Sequence, residues 1–111
     1  MTITVPEGYV YVCNVGEMPE RGKKIIHLGD TTILLIACEK GIFAVEDRCP
    51  QGHGSIALAT VKDCQITCRC HGSTYCLLTG KYISGGLSPR SHDMLRIFKL
   101  DVYNGQYYVQ I

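Results

Sequence analysis

Apolar and β-branched residues fall in short runs along the chain, each bounded by glycine, proline or charged residues, and this rhythm predicts strands rather than helices. Residues 9–13 (YVYVC) are all β-formers and predict a first strand. Residues 17–24 are polar, carry Pro19 and Gly22, and predict a loop. Residues 24–28 predict a second strand and residues 31–38 a third, with Gly29-Asp30 as the tight turn between them. The unbroken run Ile33-Leu34-Leu35-Ile36 predicts a central strand covered on both faces. Glu39-Lys40-Gly41 then turns the chain into a fourth strand, residues 42–46, which delivers it to Cys49.

Beyond residue 46 the pattern loosens. Residues 56–59 (IALA) offer one apolar anchor, and residues 63–68 alternate as a short strand does. Residues 74–78 and 81–83 flank Thr79-Gly80 as a small hairpin, and residues 84–89 (SGGLSP) predict a loop. Residues 95–103 and 106–111 flank Asn104-Gly105, the strongest short hairpin signal. Phe98, Leu100 and Val102 share one parity while Leu95 and Ile97 have the other, so a β-bulge near Ile97-Phe98 is expected. No stretch has the period of a helix, and there is no repeat. The expectation is a single all-β domain over residues 1–111, with an excursion at about 47–92 that carries three loops.

Composition narrows the function classes. The chain has 111 residues, the size of one domain. Its formal charge of +1 gives no footprint for nucleic acid, which needs a strongly basic face. The longest apolar run, residues 33–38, is six residues, far short of a membrane span. The first eight residues lack the basic and apolar regions of a signal peptide, so a soluble, cytoplasmic protein is expected. Seven cysteines, an odd number without a signal, predict reduced thiols with some recruited to metal. Cys13 and Cys38 read as core packing, and His27 and His92 as solvated histidines.

The chemistry is concentrated in two short segments. Cys49-Pro50-Gln51-Gly52-His53 and Cys68-Arg69-Cys70-His71-Gly72 each place a histidine shortly after a cysteine, and fourteen residues separate them. Two thiolates and two imidazoles suit zinc or an iron–sulfur centre and do not suit calcium or magnesium. Most zinc modules pair cysteine with cysteine and histidine with histidine, whereas here each loop supplies one of each. That arrangement suits a two-iron cluster with Cys49 and Cys68 on one iron and His53 and His71 on the other. Cys64, four residues before Cys68, is a rival ligand inside strand-like sequence.

Cys68-Arg69-Cys70-His71-Gly72-Ser73-Thr74-Tyr75, followed by Gly80-Lys81 and Gly85-Gly86-Leu87-Ser88-Pro89, resembles the second ligand loop and the proline-containing third loop of Rieske [2Fe–2S] domains. The resemblance implies a Rieske-like antiparallel β-sandwich or incomplete barrel with an inserted cluster-binding subdomain. In the first loop the family's C-x-H places a histidine where this chain has Gln51. Two extra residues bring His53-Gly54 and Leu58 onto the family's histidine, glycine and later leucine, which makes His53 the fourth ligand beside Cys49, Cys68 and His71. The alternative alignment leaves Gln51 facing the site. The resemblance also implies that the Ser73 and Tyr75 hydroxyls donate to a cluster sulfide and a cysteine sulfur. It implies too that Cys70 lacks the cysteine partner found in disulfide-braced members, so that Cys70 and Cys76 stay thiols.

Such a cluster is saturated by protein ligands, and a centre without an open position carries electrons rather than performing bond chemistry. Imidazoles in place of two thiolates lower its negative charge and raise the reduction potential, to roughly −150 to +300 mV in the family. The function implied is a one-electron carrier, not itself an enzyme, between a reductase and a terminal oxygenase or other oxidoreductase. The alternatives are a Rieske subunit of a larger redox complex and a cluster-free or zinc-bearing binding module. Arg48, Lys62, Arg69, Lys81 and Arg90 are candidates for a basic rim that steers an acidic partner.

Overall fold

The computed structural model describes residues 3–18, 22–50, 54–69, 72–86 and 94–111. Among the described residues ten strands form two antiparallel sheets. The larger sheet takes β1 (Tyr9–Asn14), β2 (Gly22–Leu28), β3 (Thr31–Cys38), β4 (Gly41–Glu46), β9 (Ile97–Tyr103) and β10 (Gln106–Gln110), in the order β1-β10-β9-β4-β3-β2. The smaller sheet takes β5 (Thr60–Lys62), β6 (Gln65–Thr67), β7 (Thr74–Cys76) and β8 (Tyr82–Ser84), in chain order. It is inserted between β4 and β9, which pair with each other through Ala44–Phe98 and Val45–Ile97. The excursion thus leaves the large sheet and returns to the strand beside its point of departure.

The hairpins form where turn residues allow them. Asn104 and Gly105 have φ of 54° and 74°, the left-handed pair that a two-residue hairpin turn needs, and they join β9 to β10. A 3-10 turn at Val15–Glu17, absent from the sequence reading, follows β1, and the Asn14 amide donates to the Glu17 carboxylate at 3.1 Å. Strand β2 begins at Gly22, inside the stretch expected to be loop. No helix among the described residues is long and apolar enough to cross a membrane.

Residues 33–36 are fully buried, as their unbroken apolar run predicts. Leu34 and Ile36 point into a core between the two sheets, with Val45, Ile66, Tyr75 and Leu77. Ile33 and Leu35 point the other way, into a second core with Val12, Ala44, Phe98 and Val109. The same division explains the mixed parity near residue 97. Leu95 and Ile97 belong to the inter-sheet core, Phe98 and Leu100 to the second, and the β4–β9 register runs without a shift. The expected bulge is therefore absent at Ile97-Phe98; two cores, one on each face of the strand, replace it. A register shift does occur in β1, between Tyr11 and Cys13.

One disulfide corrects the expectation of reduced thiols. Cys38, at the end of β3, is bonded to Cys64, with 5.5 Å between the Cα atoms. Cys64 is thus no rival metal ligand, and Cys38 is more than core packing. Cys64 also lies in a turn rather than in a strand, since β6 starts at Gln65. Cys13 is a buried thiol, and burial pushes its pKa up.

Candidate metal centre

Two loops converge on the inter-sheet core. The first leaves β4, and Cys49 follows three residues after its end. The second joins β6 to β7, and Cys68 directly follows β6. The two cysteines are 0% and 3% exposed and belong to the same buried apolar cluster. Both stand outside the disulfide.

Each loop is closed by the same device. The Cys49 amide donates to the Gly54 carbonyl at 2.7 Å, and the Cys68 amide donates to the Ser73 carbonyl at 2.8 Å. In both loops the cysteine is thus bonded to the carbonyl five residues on. The second loop is tightened further by the Gly72 amide on the Cys68 carbonyl at 2.8 Å, and its neck is bridged by the Thr67 and Thr74 hydroxyls, 2.8 Å apart.

The first loop has a clamp that the sequence reading missed. The Asp47 carboxylate accepts from the Ser55 hydroxyl at 2.9 and 2.8 Å and from the Ile56 amide at 2.8 Å. Ile56 is thereby set into the core, together with Ala59. Leu58 points outward, 75% exposed, so the apolar anchor at residues 56–59 is made by Ile56 and Ala59. Lys23 of β2 ties the same stretch to the large sheet through the carbonyls of Ala57, at 3.0 Å, and Ala59. Burial pushes the Lys23 pKa down. An aspartate at a loop entrance is too common for its spacing to announce this clamp.

Ser73 and Tyr75 are fully buried beside the second loop. The Ser73 hydroxyl has no hydrogen-bond partner among the described residues. A buried hydroxyl is rarely left so, because its desolvation is then uncompensated. An acceptor held between the loops would satisfy it. The Tyr75 ring packs edge-on against Tyr82, with 5.9 Å between centroids, and the Tyr82 hydroxyl donates to the Gly85 carbonyl at 2.5 Å. Gly85 itself lies against the Gly72 carbonyl, where a side chain has no room. The start of the third loop, at Gly85, is in this way packed onto the second.

His53 and His71, with Gln51, Cys70 and residues 87–93, lie outside the described residues, and with them Pro89, Arg90 and His92. Of the candidate basic rim, Arg48 and Arg69 are exposed beside Cys49 and Cys68. Lys62 and Lys81 are exposed at the other end of the small sheet, next to the β5–β6 turn and the β7–β8 turn, so they do not join that rim. His27 is exposed on β2, with Nδ1 3.3 Å from the Thr32 hydroxyl, as expected of a surface histidine.

Comparison with known proteins agrees with this geometry. The chain is 32% identical over 104 residues to the 3-phenylpropionate/cinnamic acid dioxygenase ferredoxin subunit of Photorhabdus laumondii, covering 92% of this chain and 93% of that protein. The protein of the same name from Escherichia coli K12 is 26% identical, with 92% of each chain covered. Among solved structures, one described as a complex of reduced oxygenase and oxidized ferredoxin in carbazole 1,9a-dioxygenase superposes with a TM-score of 0.76 at 24% identity, covering 95% of this chain and 94% of the other. The terminal oxygenase of carbazole 1,9a-dioxygenase from Novosphingobium sp. KA1 shares the fold with a TM-score of 0.81 at 19% identity, over 93% of this chain and 29% of that longer one. Residues 8–99 match the family described as the Rieske [2Fe-2S] domain, and with so much of its length matched the chain belongs to that family.

Proposed function

We propose that the chain is a Rieske-type ferredoxin holding one [2Fe–2S] cluster through Cys49 and Cys68 on one iron and His53 and His71 on the other. It takes one electron from a reductase and passes it to the terminal oxygenase of a dioxygenase system, the setting in which its relatives are named. It is a component of an oxidoreductase and not the enzyme that transforms the substrate. The whole chain acts as one domain, residues 1–111, with the cluster-binding excursion at about 47–92.

The observation that carries this reading is the placement of Cys49 and Cys68 in one buried apolar cluster, at the mouths of two loops closed alike. Two thiolates in such a place are costly unless a cationic centre neutralises them. The residues present fit the family's group. They supply sulfur ligands, and Ser73 offers a buried donor hydroxyl for an electron-rich acceptor. The cluster, when bound, supplies a one-electron couple. The chain's part is to hold the thiolates away from water, to donate hydrogen bonds from Ser73 and Tyr75 that favour the more negative state, and to present Arg48 and Arg69 to an acidic partner. We place it in the cytoplasm, where thiols such as Cys13 and Cys76 persist and the Cys38–Cys64 disulfide is the exception.

The test is the absorption and EPR spectrum of the protein together with iron, sulfide and zinc analysis. Visible absorption, an EPR signal on reduction, and two irons with two sulfides per chain are expected for one such cluster. His53→Ala abolishes the signal and Gln51→Ala retains it. The opposite pattern moves the ligand to position 51, and a colourless protein carrying zinc or no metal overturns the reading.

A further inference from the structure

Cys64 stands in an unusual place for a cysteine. With Asp63 it makes the tight turn between β5 and β6, which closes directly from Lys62 to Gln65. Asp63 and Cys64 have φ of 54° and 55°. Turns of this mirror type favour Asn-Gly or Asp-Gly, because a side chain at the second position meets its own backbone. The bond to Cys38 holds Cys64 there against that preference. It is a cross-link between the two sheets, since Cys38 ends a strand of the large sheet and Cys64 sits in the turn directly before β6 of the small one.

The bond also lies in a cleft. A cavity of about 380 Å³ opens between the sheets, with Lys23, Cys38 and Glu39 on one wall and Lys62, Asp63 and Cys64 on the other. That volume suits a small molecule. Its two lysines and two acidic residues leave no strong charge preference. The two residues differ in exposure: Cys64 is 2% exposed, whereas Cys38 is half-buried, which makes Cys38 the side open to an incoming group.

We propose that this cleft is a thiol–disulfide exchange site for a small-molecule thiol, and that the Cys38–Cys64 bond is a reducible strap between the sheets. A thiolate entering the cleft attacks Sγ of Cys38. The Cys38–Cys64 bond breaks, and Cys64 leaves as a thiolate and takes up a proton. A second thiolate attacks the external sulfur of the mixed disulfide, releasing the oxidised reductant and leaving Cys38 to be protonated. Two thiols thus supply the two electrons and two protons that convert one protein disulfide into two protein thiols. Once freed, Cys64 leaves its left-handed conformation and the β5–β6 turn relaxes. That turn feeds β6, which ends at Thr67, directly before Cys68. In the reducing compartment proposed above, disulfides are usually transient or redox-sensing. This last support rests on that placement; the turn and the cleft stand without it.

Differential alkylation of the full chain tests the proposal. The protein is oxidised mildly with diamide, and Cys38 and Cys64 then resist iodoacetamide. Incubation of the native protein with dithiothreitol or glutathione makes both react, while buried Cys13 stays unlabelled as a control for intact folding. Hydrogen exchange of the native protein then shows a loss of protection at residues 63–67 on reduction. Cys38→Ser shows that loss without any thiol, and thiol changes it no further. Should Cys38→Ser fold poorly, the Cys38→Ser/Cys64→Gly variant supplies the comparison, because glycine removes the cost at the turn; its residues 63–67 stay protected with and without thiol. Labelling of both cysteines after diamide treatment, labelling only in denaturant, or unchanged exchange on reduction each overturns the strap. The labelling reads sulfur alone, so its outcome is separate from that of the cluster spectrum.

Discussion

Asp47 holds Ser55 with both oxygens of its carboxylate, at 2.9 and 2.8 Å, and takes the Ile56 amide as well. The first loop is thereby pinned at a point that no ligand occupies. Hydrogen bonds to a charged group contribute about 1.5–3 kcal/mol each. Asp47→Ala is expected to lower stability by about 2 kcal/mol, read from a denaturant titration, and to release the cluster faster under chelation. Ser55→Ala leaves the Ile56 amide bond in place and costs less. Equal losses in the two variants would remove the special role of the backbone contact.

Ser73 gives a prediction about potential. Its hydroxyl is fully buried and, among the described residues, unpartnered. Donated to the cluster, it favours the reduced and more negative state. Ser73→Ala is expected to lower the reduction potential by about 40 mV for each 1 kcal/mol of that preference, given 59 mV per tenfold for one electron. The protein without its cluster loses little stability from the same change, because a buried hydroxyl without a partner contributes none. Tyr75→Phe lowers the potential in the same direction. A redox titration that leaves both variants at the wild-type value contradicts this account.

Gly85 and Gly72 offer a contrast. Both have positive φ, 81° and 72°. A Cβ at Gly72 meets open space, whereas one at Gly85 runs into the Gly72 carbonyl. Gly72→Ala pays the conformational cost alone, about 1–2 kcal/mol for a side chain in the left-handed region. Gly85→Ala must push the third loop off the second. We expect Gly85→Ala to lose most of its bound iron while its far-ultraviolet circular dichroism is kept. Iron content equal to that of Gly72→Ala would show that the third loop yields.

Cys76 has its thiol pKa pulled down, chiefly by a hydrogen bond from Thr79, with further help from the amides of Leu78 and Thr79 and the charge of Lys40; partial burial opposes them. A depressed value means that the folded protein holds the thiolate below the ordinary thiol range. Alkylation of Cys76 in the native protein is therefore expected to accelerate at lower pH than in the unfolded chain. Thr79→Val moves that midpoint up. Coincident folded and unfolded profiles would rule the hydrogen bond out.

Much of the architecture was legible because strands and turns are local. The residues that bound each run, Gly29-Asp30, Glu39-Lys40 and Asn104-Gly105, act on their own neighbours and turn the chain where they stand. The short strand β5 was not foreseen, because Thr60–Lys62 has no alternation long enough to register, and its pairing with β6 depends on the turn at Cys64. The Cys38–Cys64 pair, 26 residues apart, could not be read either, since pairing is set by where two sheets meet and not by spacing. Of the four residues expected to hold the cluster, Cys49 and Cys68 lie in one buried apolar cluster, and His53 and His71 lie outside the described residues. The Asp47 clamp and the Lys23 tether escaped notice because ordinary polar residues gain such roles only from tertiary position.

Strand β3 gives its residues alternately to two cores, Leu34 and Ile36 to one, Ile33 and Leu35 to the other. Neither sheet can then come apart alone, for melting one core strips an entire face from a strand that the other needs. Heat should unfold the chain in a single cooperative transition. Leu34→Ala and Leu35→Ala, though they empty opposite cores, should each cost about 2–5 kcal/mol and shift that one transition as a whole.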